Sequence, residues 1–115
     1  MRKWAYISQE SEHKKVMMCS GDEGVYVFLY DSPDAVFCCA DEYYENEDDA
    51  LADWEDKIGP DGWHSIDDPL PGCQQDCILP IRVKGRDIGK PQWGRYEILI
   101  GGEWKDYIVD SIPRV

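Results

Sequence analysis

Two β-prone runs, residues 15–20 and 25–30, flank the tetrapeptide Gly21-Asp22-Glu23-Gly24. An apolar run on each side of a glycine-bounded polar turn is a hairpin signal, and it commits this part of the chain to antiparallel pairing. Residues 3–8 (Lys-Trp-Ala-Tyr-Ile-Ser) read as a preceding strand, separated from the hairpin by a polar break at 9–14. After the hairpin, Asp31-Ser32-Pro33-Asp34 turns the chain into 35–40, whose apolar residues predict a central strand. Three or four strands in an antiparallel meander are therefore expected before residue 45.

A helix is predicted over 46–58. Asn46 supplies a cap, and Glu47, Asp48 and Asp49 fill the first turn, where the helix dipole favours anions. Gly59-Pro60 ends it. Leu51, Trp54 and Ile58 form one apolar stripe to pack on a sheet. Residues 59–76 are rich in Gly, Pro and Asp and read as a long loop, a type of segment that is often functional. Trp63, Ile66 and Leu70 anchor it. A strand over 77–84 follows, in which Pro80 points to an edge or bulged position. For the last hairpin, a two-residue Gly101-Gly102 turn would set Glu97 opposite Asp106. A three-residue loop ending at Glu103 avoids that like-charge pair and gathers Tyr96, Ile98, Ile100, Trp104 and Ile108 on one face. The expected fold is α+β: an antiparallel sheet of about six or seven strands with one main helix on one face.

At 115 residues the chain is expected to form a single globular domain over 1–115. Its 43% hydrophobic content and five tryptophans separate it from acidic disordered tails. No apolar run reaches signal-peptide or membrane-span length. Five cysteines (19, 38, 39, 73, 77), odd in number and mostly in apolar surroundings, read as reduced thiols of a cytoplasmic protein.

Charge is distributed unevenly. Residues 1–80 hold 5 basic and 19 acidic side chains, whereas residues 81–115 hold 7 and 5. The overall charge of −12 argues against nucleic-acid and membrane partners and in favour of a basic protein. The acidic run from Asp41 to Asp56, with Glu42, Glu45, Asp49, Asp53 and Asp56, is the candidate recognition face. Trp63, Asp67 and Asp68 extend it into the loop. A solvated helix face that maintains solubility is the plainer account of the same residues.

Chemistry finds weaker support. Cys73, Cys77 and His64 offer three candidate zinc ligands, but their spacing is unusual and no second cysteine pair lies nearby, so no metal or other cofactor is expected. Asp67-Asp68 beside His64 fits turn hydrogen bonding better than acid–base catalysis, and His13 lies far off in a polar stretch. An alternative pocket beneath the 59–76 loop would use His64, Asp67, Asp68, Cys73 and Arg82. The acidic cluster lacks EF-hand order, and phosphate-cradling, metalloprotease and serine-elbow motifs are missing. Arg82, Lys84, Arg86, Lys90 and Arg95 read as counter-charges to Asp67, Asp68 and Asp76, with 85–94 as a further recognition loop.

In size, acidity and lack of a catalytic motif, the chain resembles small acidic bacterial immunity proteins, a likeness of general character that covers no particular residue. The resemblance implies a protein that covers the basic active site of a toxin. The expected function is accordingly a non-enzymatic interaction module, immunity- or inhibitor-like. A small enzyme or ligand-binding domain is the alternative.

Overall fold

The computed structural model describes residues 1–8 and 11–108. Gln9 and Glu10, in the expected polar break, lie outside the described residues. The chain divides into two compact units, Met1–Asp68 and a second beginning at Pro69. It is α+β, with one α-helix and antiparallel sheets.

The first unit contains β1 (Arg2–Tyr6), β2 (Lys15–Gly21), β3 (Gly24–Tyr30), β4 (Ala40–Tyr44), α1 (Glu47–Trp54) and β5 (His64–Ile66). The strands form one antiparallel sheet in the order β4-β3-β2-β1-β5. The predicted hairpin forms with Gly21 opposite Gly24 around Asp22-Glu23. Glycine is required at position 24, where φ is 145° and a Cβ would run into the Tyr43 ring. The registers place Ala5, Val16, Met18, Val25, Val27 and Leu29 on one face, where they meet Ala50 and Trp54 of α1. Full burial of side chains of this size contributes about 1.5–3 kcal/mol each, so this face is the main source of the unit's stability.

The helix is shorter than the sequence predicts. Asn46 caps it, accepting a 2.9 Å hydrogen bond from the Asp49 N–H, but the helix ends at Trp54. Residues 57–59 pair with the end of β1 instead. Ser8 N–H donates to the Lys57 carbonyl at 2.9 Å, Gly59 N–H donates to Tyr6 at 2.7 Å, and Ile58 bridges Ile7. Ile58 still packs against the core, from a β-bridge rather than a helical turn.

The expected central strand at 35–40 is also corrected. Residues 31–39 form turns and bends, and the strand lies at 40–44 on the sheet edge. The buried Lys15 amine donates to the Pro33 and Ala35 carbonyls at 3.1 and 3.4 Å, fixing this segment as a loop before Cys39 N–H joins Leu29. Polar Asp41 and Glu42 suit an edge, because charge on an open strand discourages pairing with another chain. At the opposite edge, β5 forms within what the sequence reads as a continuous loop, pairing Arg2 with Ile66 and Trp4 with His64.

The second unit has β6 (Ile81–Val83), β7 (Tyr96–Ile100) and β8 (Glu103–Tyr107) in that order, antiparallel, with a 3-10 turn at Arg86–Ile88. The single sheet expected from sequence is thus two, of five and three strands. The strand expected at 77–84 shrinks to three residues. Pro80 offers no N–H, and residues 70–77 are held by turns such as Cys73 N–H to Leu70 and Cys77 N–H to Gln74. The final hairpin has the two-residue Gly101-Gly102 turn, with φ of 60° and 83°, and Ile100 opposite Glu103. Positive φ at both central residues matches the strand twist, and glycine adopts it without strain. Trp104 therefore faces with Leu99 and Glu97, while Lys105 shares the Ile98 face. Among the described residues, no helix is long and apolar enough to cross a membrane.

Candidate functional site

The acidic surface is built where β4 meets α1. Register puts Glu42 and Tyr44 on the helix-covered face of the sheet, beside Val27 and Val25. From that edge Tyr44 donates its hydroxyl to Asp53 Oδ2 at 2.9 Å and approaches Glu42 Oε1 at 3.4 Å. Trp54 Nε1 donates to the same Glu42 oxygen at 3.2 Å. Burial first, and then the Asp53 hydrogen bond, pushes the Tyr44 phenol up to about 12, so it remains a donor at neutral pH.

Glu42 and Asp53 are therefore held by uncharged donors. Among the described residues, neither has a salt-bridge partner. The nearby cations are otherwise engaged: Lys3 pairs with Glu47 at 3.1 Å, and Lys57 lies 4.9 Å from the Trp54 ring centroid. Asp49 is occupied with Asn46, whose Nδ2 donates to Oδ2 at 3.1 Å. Glu45 and Asp56 are exposed.

The remaining members of the expected face lie elsewhere. Trp63 is half-buried against the helix-side core, with the Lys3 amine 5.2 Å from its ring centroid. Its Nε1 is buried without a hydrogen-bond partner among the described residues, which costs about 1–3 kcal/mol. Asp67 and Asp68 follow β5. The Asp67 carbonyl accepts from Arg2 Nε at 2.9 Å, and Asp68 lies 3.0 Å from the Met1 amine. Since β4 and β5 are opposite edges, the two acidic groups are separated by four strand spacings, about 19 Å. The continuous run in sequence becomes two patches.

The alternative pocket draws on both units. In the first, His64 stacks on Trp4 at 4.5 Å. In the second, Cys73 bridges Arg82. Arg82 is already committed: Nε lies 3.2 Å from Glu97, NH2 lies 3.5 Å from Asp87, and the guanidinium sits 3.8 Å from the Trp104 ring centroid. Lys84 holds Asp106 at 2.7 Å. The basic strand thus finds counter-charges on its own sheet and turn. A cleft of about 320 Å³ opens in this unit between Lys84, Arg95, Tyr96, Asp106, Tyr107 and Ile108. Among the described residues, no three His, Cys, Asp or Glu side chains are grouped to hold a metal ion.

One pair escaped the sequence reading. His13 Nδ1 lies 3.6 Å from Cys39 Sγ, although 26 residues separate them. The meander causes this: β2 begins and β4 begins beside the same end of β3. Lys14 N–H bonds Tyr30, and Cys39 N–H bonds Leu29. A correct register for β4 would have revealed it. Comparison with protein-family models, curated proteins and solved structures gives no match.

Proposed function

We propose that this is a non-enzymatic cytoplasmic interaction module that binds a basic protein through the β4–α1 surface, in the manner of an immunity protein or inhibitor. The supporting observation is the pair Glu42 and Asp53, fixed by Tyr44 and Trp54 and without a salt-bridge partner among the described residues. Carboxylates pre-positioned by neutral donors lose little side-chain freedom on binding and retain their field for steering. Glu45, Asp49 and Asp56 surround them with further negative charge. Asp67 and Asp68 belong to a separate patch at the other sheet edge, and Trp63 serves the core.

The test is capture from the source lysate at low and high salt, followed by binding measurements on any basic protein recovered. Binding should weaken as salt rises, and Glu42→Gln with Asp53→Asn should slow association by about threefold per charge. A partner whose binding ignores both salt and these substitutions overturns the reading. A ligand-binding role is the second reading, and the observation that favours it is the cleft between Lys84 and Tyr107.

A further inference from the structure

Cys39 is an exposed cysteine with a base at its sulfur. His13 Nδ1 stands 3.6 Å from Sγ, and on the other side of the ring Nε2 lies 3.6 Å from Glu12 Oε1. The single thiol proton has two acceptors within reach, His13 and the Leu29 carbonyl at 3.4 Å. The other cysteines are less exposed. Cys77 is buried, Cys19, Cys38 and Cys73 are half-buried, and burial pushes the Cys19 thiol up. A thiolate is the nucleophilic form of cysteine, and an imidazole in contact with the thiol, backed by a carboxylate, is the arrangement that generates it.

We propose that Cys39 is a modification site at which the thiol exchanges with small disulfides to form a mixed disulfide. His13 Nδ1 takes the proton from Sγ, which attacks one sulfur of the incoming disulfide. The S–S bond of that disulfide breaks, and its leaving thiolate takes the proton back from His13. One disulfide and one protein thiol become one mixed disulfide and one small thiol, with the incoming disulfide as oxidant. The site lies at the end of β3 beside which β2 and β4 begin.

The test uses the whole chain and cystamine, a dicationic disulfide suited to a protein of net charge −12. Peptide mass spectrometry follows each of the five cysteines over time. Cys39 should be modified about tenfold faster than any other cysteine, and His13→Gln should remove about that factor. Cys77 is the internal control, since unfolding would expose it. Equal or faster reaction at another cysteine of the wild-type chain overturns the proposal. So does an unchanged Cys39 rate in His13→Gln with Cys77 still protected. If that variant exposes Cys77, the wild-type ranking alone decides.

Discussion

Glu97 and Asp106 stand directly opposite each other across β7 and β8, and each pairs with a cation, Glu97 with Arg82 on the adjacent β6 and Asp106 with Lys84 just after β6. The like-charge pair that argues against a two-residue turn is therefore part of a charge network with Arg82, Lys84 and Asp87.

Arg82→Ala is expected to destabilise the second unit by about 2–3 kcal/mol. The Arg82 and Glu97 side chains are only 15% and 16% exposed, so the loss strands a partly buried carboxylate opposite another one. Lys84→Ala, at a more exposed pair, should cost about 0.5 kcal/mol. Urea denaturation of the two variants checks the order, and equal costs would contradict the network.

Asn46→Ala removes the α1 cap and should cost about 1 kcal/mol, whereas Asn46→Ser should cost a few tenths. Chemical denaturation distinguishes the two. If both variants behave alike, the cap hydrogen bond contributes nothing.

Met18→Ala opens a cavity in the face covered by α1 and is expected to cost about 3 kcal/mol. Leu79→Ala, at a side chain 44% exposed, should stay within about 0.5 kcal/mol. Comparable losses would place Leu79 in a core, as the longer predicted strand implies.

The Tyr44 phenol titrates at about 12 in the folded protein against an ordinary value of 10.0. Between those values the folded chain keeps a proton that the unfolded chain has released, so stability falls as pH rises through that window. Below pH 10 the contribution is fully present. Tyr44→Phe should flatten the alkaline loss, and the absorbance difference from wild type should show one late-titrating tyrosine. A Tyr44 titrating near 10 would remove the hydrogen-bonded donor from the acidic surface.

Sequence pattern reveals what depends on local chemistry. The 15–30 hairpin is legible because its turn and its flanking runs agree, and the α1 start because Asn46 and three acids mark it. What it misses depends on competition between distant segments. Ile58 looks helical until Ile7 offers a bridge, and 35–40 looks like a strand until Lys15 claims the Pro33 and Ala35 carbonyls. The last hairpin misleads for a related reason: Arg82 on β6 and Lys84 just after it remove the repulsion that a two-strand view counts against it. At the surface, Glu42 and Asp53 are legible as acidic residues, but their shared Tyr44 is not. That contact requires β4 at the sheet edge beside α1. The same register error conceals His13 beside Cys39.

Lying between β2 and β5, β1 is an interior strand, and Arg2 must wait for Ile66 before both of its edges are paired. During synthesis, β1 is thus made before β5 but is completed only after it. Until residue 66 emerges, one side of β1 presents unpaired backbone groups, an edge open to wrong pairing in the nascent chain.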